Sequence, residues 1–199
     1  VERVSLFPDI YPSVEYFWAP RAQQNVLDLA NGSRQVNETS PFLQREFTLR
    51  YGAEDDAEFW GLIFPHFEAN RGGIFSFYDF WLIPHATPVR FAIGDGATRT
   101  FTLPAKEAED VVIRVNNAPR SAMLLGDAGV EGETLVTFSV ADTPALGSVL
   151  TWTAARARRK FRVSYYGGPN TPATIKPIPV EGGLWGTELQ LIEEIVAYV

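Results

Sequence analysis

Few residues here have the types and spacing to do chemistry. Glu54, Asp55, Asp56 and Glu58 put four carboxylates within five positions, the raw material of a cation site or an acid–base pair. No histidine or nucleophile accompanies them, and they fall where the first turn of a helix favours negative charge. We read them as helix-start carboxylates. His66 and His85 match neither H-x-x-H nor H-E-x-x-H, so both are expected in structural or surface roles. Gly94-Asp95-Gly96 lacks the lysine of a phosphate loop and the regular oxygen ligands of a calcium loop, and reads as a hairpin turn. Ser5, Ser13, Ser76 and Ser164 lie in no G-x-S-x-G context. The chain has no cysteine, which excludes disulfides, thiolate metal sites and cysteine nucleophiles. No catalytic, metal or cofactor-binding set emerges, and no cofactor is expected.

Two features suit contact rather than reaction. Arg156, Arg158, Lys160 and Arg162 alternate with Ala157, Arg159, Phe161 and Val163, so a strand would place four cations on one face. That face is either solvated, or set against an acidic neighbouring subunit, or set against DNA; the net charge disfavours the last. Phe17 and Trp18 belong to a Pro- and aromatic-rich opening (Phe7, Pro8, Tyr11, Pro12, Tyr16, Pro20) that reads as an extended arm. Such an arm lies on its own core or reaches a neighbour. These six residues (Phe17, Trp18, Arg156, Arg158, Lys160 and Arg162) are the candidate subunit contacts.

The elements that would hold them follow from periodicity. Phe47, Leu49 and Tyr51 alternate with polar residues as in a half-buried strand, within a strand expected over 42–51. Phe59, Ile63 and Phe67 form one helical stripe, with a kink expected at Pro65 and a left-handed stop at Gly72-Gly73. Residues 73–83 form an aromatic strand, ended by Pro84, His85 and Pro88. Beyond it, 89–93 and 99–103 read as a hairpin, and 111–115, 135–140 and 148–153 complete about five strands. Asn31-Gly32 predicts a hairpin between 26–29 and 34–38. The run 158–166 returns as a strand, 169–183 reads as a loop, and 184–199 leans towards a strand.

Composition sets the bounds. The chain has 199 residues, 46% hydrophobic and 21% charged, with 16 Gly, 14 Pro and 13% aromatic content, which suggests many turns between aromatic strands. The fold class expected is mainly β with one main helix (α+β). A net charge of −7 argues against generic nucleic-acid binding. No apolar run approaches the ~20 residues that cross a bilayer, and no signal core opens the chain, so assembly in a cytoplasm is expected.

The stretch REFTLRYGAEDDAEFWGLIFPHFEANRGGIFSFYDFW (Arg45 to Trp81) carries a resemblance. A strand ending in Y-G, an acidic helix, R-G-G and an aromatic F-x-F-x-D-F/W run resemble the distal tail (Dit-like) protein family of long-tailed phages and gene transfer agents. IGDGATRTFTLP, VVIRVNN, LVTFSVADTPALGSVLTWT and RRKFRVSYYG are similar to that family's second half, and the resemblance covers most of 40–167. It implies a structural virion protein rather than an enzyme. Residues 1–84 plus 153–199 would form a β-sandwich-like ring domain, and 85–152 an inserted small β-sandwich or barrel. The ring, usually hexameric, would join the tail tube protein to the hub or baseplate at the distal end of the tail, with no membrane or sequence-specific nucleic acid as partner. The alternative is a carbohydrate-binding module in 89–153, whose aromatics (Phe91, Phe101, Phe138, Trp152) sit at positions expected to face inward.

Overall fold

The computed structural model describes residues 5–21, 24–28, 34–38, 44–126, 128–129, 132–167 and 171–194. In chain order the elements are β1 (Glu15–Arg21), β2 (Gln24–Asp28), β3 (Arg34–Glu38), β4 (Gln44–Glu54), α1 (Asp56–Glu58), a π-helical turn (Phe59–Ile63), α2 (Phe64–Asn70), β5 (Ile74–Tyr78) and β6 (Ile83–Ile93). Then come β7 (Thr100–Leu103), β8 (Ala105–Glu109), β9 (Val112–Val115), β10 (Ala118–Arg120), β11 (Met123–Leu125), β12 (Thr134–Thr137), β13 (Val149–Tyr165), β14 (Ile178–Val180) and β15 (Leu184–Glu193). The fold is mainly β with one helical segment. Its two compact units are Val1–Phe77 with Arg162–Val199 (unit 1) and Tyr78–Phe161 (unit 2). The boundaries expected after 84 and 152 fall inside β6 and β13, which continue unbroken through both positions.

In unit 1 the antiparallel order is β1-β4-β15, with the end of β13 beside β15. Register places Leu49 opposite Tyr16 and Leu189, and Phe47 opposite Leu191, all buried, so one face of the sheet is apolar. The helical stripe is buried too, at Phe59, Ile63 and Phe67. Asp55 caps the segment, its Oδ1 accepting the Glu58 N–H at 2.8 Å. Pro65 is accommodated without breaking the segment. The Phe64 N–H reaches the Phe59 carbonyl, five residues back, and Pro65 then occupies the first turn of α2, where a missing N–H costs no bond. The left-handed stop is absent: Arg71 stays right-handed, neither Gly72 nor Gly73 has positive φ, and the Gly73 N–H closes on Asn70 O at 3.0 Å.

The opening is an arm only in part. Phe7 is buried against Phe75, Phe77 and His66, bridged to β5 through Ser76. From Glu15 the chain becomes an edge strand, a place where Pro20 is tolerated. The predicted hairpin forms as β2 and β3; its Asn31-Gly32 turn lies outside the described residues. The final strand expected forms as β15, and a short strand, β14, interrupts the loop expected over 169–183.

In unit 2 the core joins two sheets. Leu103 and Val136, from the sheet β11-β12-β7, share one cluster with Ile113, Leu150 and Trp152 from the sheet built on β13. This is a small sandwich. The hairpin expected from 89–103 does not form, because β6 pairs with β13 and β7 pairs with β12. Neither Pro84 nor Pro88 ends its strand: both fall at register shifts between β6 and β13, where no ladder donor is needed. The strands expected at 148–153 and 158–166 are one strand, β13. Asn116 and Asn117 both take positive φ (49° and 67°) and turn β9 into β10, and the close approach of Ala145 O, 2.5 Å from where a Cβ would sit, requires glycine at 94.

Candidate assembly surfaces

The outward face of the unit 1 sheet is polar and cross-linked. Arg50 on β4 pairs with Glu15 of β1 at 2.5 Å and Glu188 of β15 at 2.8 Å. Phe17, two residues from Glu15, shares this face and is exposed. Trp18 faces the other way: Arg45, itself paired with Glu193, lies 5.3 Å over its ring, and its indole N–H is buried without a hydrogen-bond partner. Arg162 is exposed, next to the inward-facing Val163.

The rest of the basic run belongs to unit 2, and the expected row of exposed cations does not survive there. Register shifts between Arg156 and Arg158 against β8, and Arg158 turns inward. Its Nε donates to Asp79 O at 2.8 Å and its Nη1 lies 3.0 Å from Glu107 Oε1. Lys160 Nζ sits 2.7 Å from Glu133 Oε1, and both Lys160 and Lys106 approach the Tyr78 ring. Arg158 and Lys160 therefore serve the fold, since a buried cation needs a partner. Arg156 remains exposed.

A surface that periodicity did not single out lies on the helical segment of unit 1. Trp60 is 39% exposed and Leu62 49%. Trp60 meets Trp185 edge-on at 5.1 Å and Phe64 at 5.0 Å, while Trp185 stacks on buried Phe59 at 6.0 Å. Asp56 Oδ1 accepts the Trp185 indole N–H at 2.7 Å, fixing the ring, and Asp55, Asp56 and Glu58 lie at the start of the same segment. One signal was present: Trp60 and Leu62 fall off the Phe59–Ile63–Phe67 stripe, so a helix must turn them outward.

The remaining candidates are structural. Glu54 is buried at the end of β4 and accepts from Ser13 Oγ at 2.7 Å; burial, then hydrogen bonding and charge from Glu58, raise its pKa. His66 lies in an aromatic nest, Nδ1 2.8 Å from the Tyr165 hydroxyl, and burial lowers its pKa to about 4. His85 stacks on Trp152 at 4.1 Å; burial first, then Arg159, lowers it to about 4. Asp95 accepts from the Thr98 hydroxyl and from the Thr98 and Ala97 N–H groups, which hold it at about 2, so the Gly-Asp-Gly segment is a self-satisfied turn. No group of three or more possible metal ligands assembles among the described residues. In unit 2, Phe138 and Trp152 are buried and Phe91 and Phe101 lean on the core. No protein-family model matches the chain, and no curated protein matches it either.

Proposed function

We propose that this chain is a structural virion protein of the distal tail class, forming a ring, six subunits being the expected order, between the tail tube and the tip hub or baseplate. The reading rests on the sequence resemblance. One structural observation supports it: the stretch that carries the resemblance also carries Trp60 and Leu62, exposed apolar side chains of the kind that mark protein contacts, with half-buried Phe64 and, from β15, half-buried Trp185 packed beside Trp60. Its partners would be further copies of itself, the tube protein and the hub, and it would sit at the distal end of the tail. Solution mass combined with electron-microscope class averages tests the ring, with six-fold views the expected result. Absence of the protein from purified particles would end the proposal.

A further inference from the structure

Unit 2 carries nine acidic and nine basic residues, so the whole net charge of −7 resides in unit 1. Within unit 2 the cations are not spread evenly. Thr151 of β13 is flanked in register by Arg90 of β6 and Arg114 of β9, which puts two guanidinium groups in one row of the outward face. Arg114 donates to Thr153 Oγ1 at 3.0 Å, whereas the buried Thr151 hydroxyl between the two arginines makes no hydrogen bond. Ile93, Val112 and Val149 are exposed, and register places them on the same face. The result is a surface on which Ile93, Val112 and Val149 lie around two arginines, Arg90 and Arg114.

Unit 1 presents the converse: the Trp60, Leu62, Phe64 and Trp185 cluster, edged by Asp55, Asp56 and Glu58. We propose that these surfaces are the two halves of one contact, the arginine face of unit 2 in one copy docking on the acid-edged aromatic patch of unit 1 in the next. The inference depends on the ring reading above and names the surfaces that would join its subunits. Guanidinium groups stack on indole faces while pairing with carboxylates, and Trp and Arg dominate the energetics of protein contacts. Copies of an acidic protein repel unless opposite charges are brought face to face. Two different surfaces meeting head to tail generate a ring where the rotation closes.

Sedimentation velocity of the full chain, Trp60→Lys, Arg90→Glu and an equimolar mixture of the two variants provides the test. The wild type is expected to form oligomers. Each variant alone should associate at least about tenfold more weakly, the loss of a single central contact. The mixture should give a heterodimer and nothing larger, because only one pairing of intact surfaces remains. Leu62→Lys and Arg114→Glu serve as second variants should either first choice fail to fold. Wild-type assembly by the folded variants would overturn the pairing while leaving the ring intact. A folded mixture that stays monomeric would also overturn it. A wild type monomeric at the highest soluble concentration would overturn both the pairing and the ring.

Discussion

Protonation is opposed at two imidazoles by what surrounds them. His66 and His85 titrate near 4 in the folded chain and near 6.5 when unfolded. The unfolded state therefore binds more protons between those values, and stability present above pH 6.5 is lost as pH falls towards 4. His85→Phe keeps a ring against Trp152 and removes the proton site, so urea unfolding at pH 7 and pH 4.5 should show a smaller acid penalty than in the wild type. Glu54 behaves in the opposite sense. Its folded pKa is raised, so its contribution to stability is present at low pH and declines as pH rises from the ordinary carboxylate value through the raised one. Glu54→Gln, still able to accept from Ser13, is expected to be more stable than the wild type at pH 7 in chemical denaturation and to lose that advantage at acid pH. These environments were not legible in the sequence. His85 stands between two prolines, and only the pairing of β6 with β13 brings its ring onto Trp152.

Local elements were the legible part. The stripe Phe59–Ile63–Phe67 and the acidic start at Asp55, Asp56 and Glu58 are set by neighbours within a few residues and formed as expected, whereas Glu54, expected in that first turn, ends β4, and Thr48, expected on the polar side of β4, is buried. Asp55→Ala should cost about 1 kcal/mol by removing the cap, and Ile63→Ala about 2–5 kcal/mol by opening a cavity, both measurable by chemical denaturation. Strand partnership was not legible. Residues 89–103 look like a hairpin because a turn joins two short runs, yet each run finds its partner far along the chain, in β13 or β12. Apolar alternation says that a strand has a buried face without naming what lies beside it. The basic run failed for the same reason: spacing gives a face, and the register shift beside β8, with Asp79, Glu107 and Glu133 nearby, decided that Arg158 and Lys160 would turn into unit 2.

Across the whole molecule, the charge divides between an acidic unit 1 and a neutral unit 2. Association through opposite charges should weaken as salt rises towards molar ionic strength, where screening acts over about 3 Å, and a mass that does not change with salt would speak against it. Turn signals do not mark the limits of unit 2 at Tyr78 and Phe161, because β13 passes from one unit into the other without a break. The position of β15 has a consequence in time. It lies between β4 and β13, yet it leaves the ribosome after every other described strand. Unit 2 has all its described strands once Phe161 has been synthesised, while the two parts of the unit 1 sheet wait with open edges for the strand that joins them. A chain stopped at Gly167 should give a protease-resistant core covering unit 2 and rapid cleavage within residues 44–77. Equal resistance in both units would show that the sheet does not wait. During synthesis, the nascent chain's exposure to chaperones and to its own neighbours is set by how soon its last sheet-joining strand arrives.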